Sequence, residues 1–69
     1  MNVILKFDLQ RIDERIESLE YLISRNERQQ KEYINEYNAP NKCLIDQHDD
    51  LTSTLNFVRE RRKAMLNIA

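Results

Sequence analysis

The chain is 69 residues long, 41% hydrophobic and 33% charged, with one Pro, one Cys, no Gly and no Trp. So short a chain forms one small domain at most, and without Gly it lacks the tight turns and phosphate-cradling loops on which P-loop and Rossmann chemistry depend. Its 11 basic and 12 acidic side chains leave a formal net charge of -1, so no overall field steers it toward nucleic acid or an anionic membrane.

At the start, Val3, Leu5, Phe7 and Leu9 alternate with Ile4, Lys6 and Asp8 in the two-residue period of a strand. Two readings compete. In one, a helix begins near the N-terminus and Leu5 joins its apolar seam. In the other, which the alternation favours, residues 1–7 form an extended apolar segment, Asp8 is the N-cap, and Phe7 packs on Ile12 as a hydrophobic staple. The start carries no signal-peptide pattern and Cys43 is the single cysteine, so a cytoplasmic compartment without disulfides is expected. No apolar run approaches the roughly 20 residues that cross a bilayer, and no membrane partner is expected.

Next comes a heptad seam. Leu5, Leu9, Ile12, Ile16, Leu19, Ile23, Asn26, Gln30, Tyr33 and Tyr37 recur at alternating steps of four and three, which an α-helix winds into one stripe facing a partner helix. Neither Pro nor Gly interrupts the run from Leu9 to Tyr37, and strong helix formers such as Glu14, Arg15 and Lys31 fill its other faces. A first helix is expected over about 8–37. Asn38-Ala39-Pro40-Asn41 is the turn: Pro40 biases Ala39 away from the α region, and either Asn adopts αL or caps a helix start. Leu44, His48, Leu51, Leu55, Val58, Arg62, Met65 and Ala69 then repeat the rhythm, giving a second helix over about 42–67.

Two heptad helices joined by a short turn run antiparallel, so residues 8–69 are expected to form an all-α, coiled-coil-like two-helix hairpin. Folding about position 40 or 41 pairs residues whose numbers sum to about 81. Tyr37 then meets Leu44, Tyr33 hydrogen-bonds His48, Gln30 meets Leu51, Asn26 meets Leu55, Ile23 meets Val58, Leu19 meets Arg62 and Ile16 meets Met65. Asp13, Glu14, Glu17 and Glu20 lie beside Arg59, Arg61, Arg62 and Lys63, which gather where the helix dipole favours cations. Residues 1–7 overhang the hairpin with nothing to cover them.

For a scaffold this small, burial and chain entropy nearly cancel. A homodimer is therefore expected, two hairpins making a four-helix bundle. Tyr21, Leu22, Ile34, Ile45, Phe57, Leu66 and Ile68 are apolar but lie outside the seam; with Val3, Leu5 and Phe7 they are the candidate oligomer or partner interface. Ile34 and Ile45 come out adjacent in this register. Asn26 and Gln30, polar in the seam, either fix register and oligomeric state or mark a wet gap.

Cys43, Asp46, His48, Asp49 and Asp50 form the only cluster of metal-ligand or nucleophile-and-base chemistry in the sequence. On a helix Cys43, Asp46 and Asp50 share a face while His48 projects into the seam, so neither metal binding, cofactor nor catalysis is expected. The function expected is that of a small non-enzymatic protein-binding module: an adaptor, regulator or inhibitor of a protein target. Alternatives are a nucleic-acid-binding regulator whose Arg59, Arg61, Arg62 and Lys63 contact phosphates, and a structural or assembly subunit. The architecture resembles the general class of small plasmid and viral regulatory hairpins that dimerise into bundles.

Overall fold

The computed structural model describes residues 3–68, with the side chains of residues 6–67. Two helices, α1 (Val3–Tyr37) and α2 (Lys42–Ile68), pack against each other, and the described residues include no strand. At about 1.5 Å per residue, α1 alone accounts for the 53 Å length of the molecule. The shorter α2 lies alongside it.

The N-terminal expectation is corrected. Residues 3–7 are not extended; they are the first turns of α1, and Asp8 is an exposed helical residue rather than an N-cap. Phe7 is exposed and staples nothing. An isolated strand has no sheet to pair with, whereas adding residues to an existing helix gains one hydrogen bond for each residue fixed. The side chains of Val3, Leu5 and Ile68 lie outside the described set.

The turn is built from asparagines because the chain has no Gly. Asn38 sits at φ 55, and its N–H donates to the Ile34 carbonyl at 2.8 Å, the αL motif that closes a helix C-terminus. Asn41 caps α2: its side-chain oxygen accepts from the Leu44 N–H at 3.3 Å, and its carbonyl accepts from the Ile45 N–H at 3.1 Å. The first is the side-chain capping bond expected of an Asn at this position, and the second is the first backbone bond of the helix itself. At the far end, the last turn of α2 holds no basic residue. The Arg59–Lys63 cluster therefore ends too early to feel the dipole as expected, since that effect is confined to the terminal turn.

Across the seam, the expected sum of 81 is wrong by one heptad. Asn26 bonds to Leu44 and Gln47, Glu27 meets His48, Asp13 meets Arg62, and Glu20 meets Arg59. The partners centre on a sum of about 74, a shift of one seven-residue repeat. Periodicity cannot detect such a slip, because it leaves every seam position opposite another seam position. Chemistry does detect it. The expected register set Leu19 against Arg62, Asn26 against Leu55 and Gln30 against Leu51; the observed one gathers Leu19, Leu55 and Val58 into the buried core, with Ile12, Ile16, Ile23 and Leu51 packed around it. Apolar residues meet apolar residues, and the polar ones are collected near the turn.

The slip moves the overhang from one end to the other. Tyr33 and Asn41 line one cleft, so the bend at Asn38-Ala39 brings the chain back beside the last turn of α1 instead of carrying it onward. That last turn has no α2 beside it. Tyr37, expected against Leu44, is exposed and packs on Tyr33 with ring centroids 4.5 Å apart. His48 lies 3.5 Å from Glu27 rather than bonding Tyr33. At the other end, Met65 shares a cleft with Asp8 and Ile12, so α2 reaches back along α1 as far as Asp8, while Lys6 and Phe7 remain exposed.

Cysteine trapping checks the register. With Cys43 replaced by Ser, Ile23→Cys paired with Leu51→Cys oxidises to an intramolecular disulfide, whereas Ile23→Cys paired with Val58→Cys does not. The second pair is displaced by about 10 Å along the helix, beyond the roughly 7 Å that a disulfide spans between Cα atoms. Preferential closure of the second pair would instead support the register with a sum of about 81.

Candidate functional site

The hairpin is a two-helix plate, and its two faces differ. Asp13, Glu20, Glu27 and Ile34 follow one another at seven-residue steps along α1, as do Ile45, Thr52, Arg59 and Leu66 along α2; these rows border one face. Two ion pairs and one histidine–carboxylate contact cross it. Arg62 Nε lies 2.6 Å from Asp13, Arg59 lies 3.4 Å from Glu20, and His48 lies 3.5 Å from Glu27. Such half-exposed pairs contribute only about 0–1 kcal/mol each. They do occupy the carboxylates, leaving Ile34 and Ile45 as the apolar end of the row beside the turn, 46% and 38% exposed.

The opposite face is a groove running along the seam. Near the free end Asp8, Arg11, Ile12, Arg15, Phe57, Val58, Arg61 and Met65 line a cleft of about 340 Å³. In the middle come Leu22, Arg25, Asn26, Gln29, Gln47 and Leu51. Beside the turn Gln29, Glu32, Tyr33, Glu36, Asn41 and Leu44 complete it. The groove thus changes sign along its length: arginines dominate one end and glutamates the other. Phe57, 67% exposed, and Leu22 give it an apolar floor and wall.

Between the faces sits Asn26, 1% exposed and the only buried polar residue among those described. Its amide group donates to the Leu44 carbonyl and to Gln47 Oε1, each at 2.9 Å, while its oxygen accepts from Gln30 Nε2. Of the two expected roles, a wet gap does not describe this residue. No buried side-chain nitrogen or oxygen among the described residues lacks a partner.

The candidate basic patch is divided. Arg59 and Arg62 are turned to carboxylates on the ion-paired face, Arg61 lies in the groove on the other, and Lys63 is exposed apart from both. The apolar candidates divide as well: Ile34, Ile45 and Leu66 border the ion-paired face, Leu22 and Phe57 the groove, and Phe7 and Tyr21, fourteen positions apart, the outer side of α1. All seven are exposed. Sequence reasoning missed Arg11, Arg15, Arg25, Glu32 and Glu36 as groove residues; the signal lies in the rows that flank the seam at seven-residue steps. Cys43 is exposed, and no group of three His, Cys, Asp or Glu among the described residues is placed to hold a metal ion. Nor is any described helix long and apolar enough to cross a membrane.

No family model matches this chain, and no curated protein or solved structure matches it.

Proposed function

We propose that this chain is a small non-enzymatic protein-binding module, an adaptor, regulator or inhibitor of a protein target, whose hairpin is completed by a second copy into a four-helix bundle. One observation carries the reading: only Leu19, Leu55 and Val58 are buried hydrophobic residues among those described, while eight large apolar side chains stand exposed. A core of three is small even for a chain of this length, and a helix pair laid on one face would cover part of what is left open. Division of the basic cluster between two faces favours a protein target over the nucleic-acid alternative, because phosphate binding draws its affinity from cations acting together.

Ile34 and Ile45 form the contact for the target, at the apolar end of the ion-paired face. Pull-down from the native host with the wild-type chain returns a stoichiometric protein partner, and Ile34→Glu abolishes its capture while leaving helical content unchanged. An uncompensated charge desolvated in such a contact costs several kcal/mol, a loss of affinity of 100-fold or more at about 1.4 kcal/mol per tenfold. Salt-sensitive retention of nucleic acid with no protein partner would decide for the alternative.

A further inference from the structure

We infer that the groove is the dimer face, and that the second copy lies in it antiparallel, related by a two-fold axis near Leu22 and Arg25. This rests on the bundle proposed above and specifies which face closes it and in which direction. The argument is the change of sign along the groove. Arg11, Arg15 and Arg61 gather near the free end against one carboxylate, Asp8, and none of the three forms an ion pair among the described residues. Glu32 and Glu36 stand at the turn end, equally without an ion pair among the described residues. The two groups are too far apart to meet within one chain: about 17 residues of straight helix, or roughly 25 Å, separate Arg15 from Glu32.

A two-fold axis through the middle of the groove brings them together twice. The arginine end of each copy lies over the glutamate end of the other, and Leu22 approaches its own counterpart across the axis, as a self-complementary interface requires. A parallel copy would place arginine on arginine and glutamate on glutamate. A nucleic-acid backbone, negative throughout, matches one end of the groove and is repelled by the other. The dimensions are also sufficient. From Asp8 to Glu36 the groove runs about 42 Å, and the plate is 15 Å across, so each copy covers roughly 600 Å² and the pair roughly 1,200 Å², the lower bound for a stable interface. Ile34 and Ile45 remain open on the opposite face, where the target is placed.

Two charge-reversed chains test this by light scattering and by native mass spectrometry of mixtures. One carries Glu32→Lys and Glu36→Lys, the other Arg11→Glu and Arg15→Glu; all four positions are exposed, and circular dichroism of each chain confirms that the helices survive. Wild type is expected to be dimeric at micromolar concentration, and each variant alone to associate at least 100-fold more weakly, because both of its groove ends then carry largely one sign. Mixed in equal amounts, the two variants re-form a dimer containing one chain of each. That rescue cannot come from a contact inside either chain. If both variants stay dimeric alone, the dimer face lies elsewhere and this inference falls, while the bundle and the protein-binding reading stand. A monomeric wild type overturns the inference and the bundle together, whether the groove then proves to hold a foreign helix or a phosphate backbone, and leaves target capture to be judged by the Ile34→Glu comparison.

Discussion

Leu55→Ala leaves the chain largely unfolded at room temperature, with the helical circular dichroism signal lost and no cooperative melt. Leu55 is 5% exposed and packs with Leu19 and Val58 in the buried core. Removing a leucine side chain from such a site costs about 2–5 kcal/mol, because the transfer free energy is lost and the cavity collapses only in part. A single core in a chain of this size supplies at most about 3–5 kcal/mol. The two numbers are comparable, so the substitution removes nearly all of the margin. Ser53→Ala, on the exposed outer side of the same helix, shifts stability by no more than about 0.5 kcal/mol. A Leu55→Ala chain that melts close to the parent would show that the core lies elsewhere.

The second large effect is on uniqueness rather than stability. Asn26→Ala costs about 1–3 kcal/mol, because Gln30 and Gln47 lose a buried partner. Asn26→Leu does something different: it holds or raises the melting midpoint, yet the chain no longer keeps one register. In the parent, sliding α2 by a heptad sets the Asn26 amide against Leu55 and strips it of its bonds to Leu44 and Gln47. With leucine at position 26 that penalty disappears, and the slipped hairpin gains a Leu-on-Leu layer together with Ile23 on Val58. Polar seam residues are known to fix register at some cost in stability. Both cysteine pairs described for the register should then close in the Asn26→Leu background. If only Ile23→Cys with Leu51→Cys closes, the register is held by the apolar core alone.

The helices, the position of the turn and the seam were legible because they depend on spacing and on local chemistry, with Asn38 and Asn41 capping as their side chains allow. Register was not, because a seven-residue repeat is blind to a seven-residue slip. Comparing the layers for like with like would have recovered it: Leu19 against Leu55 is plainly better than Leu19 against Arg62. The N-terminal residues were misread because Val3 to Leu9 satisfies two periods over so short a span, and only the reach of α2 toward Asp8 and Ile12 decides between them. Tyr21, Leu22, Ile34, Ile45, Phe57 and Leu66, placed outside the seam by their spacing, are exposed, and so is Tyr37, which the spacing placed within it. Its division between two faces depends on the hairpin geometry, which places Leu22 and Phe57 on one side and Ile34 and Ile45 on the other.

The polarity of the seam also bears on how the chain folds. Near the turn, where the two helices first come within reach of each other, the facing residues are Tyr33, Gln30, Asn26 and His48 with Leu44 as the one aliphatic side chain, and they offer little apolar burial. The first substantial gain waits for Ile23 to meet Leu51 at the edge of the core, so the chain must close the whole loop between those residues before contact rewards it. Loop-closure entropy rises only slowly with length, yet it has to be met in advance, which slows folding relative to a hairpin that zips from its turn. Nucleation therefore falls at mid-length, with structure spreading outward from there, and the turn, though shortest in sequence, consolidates late.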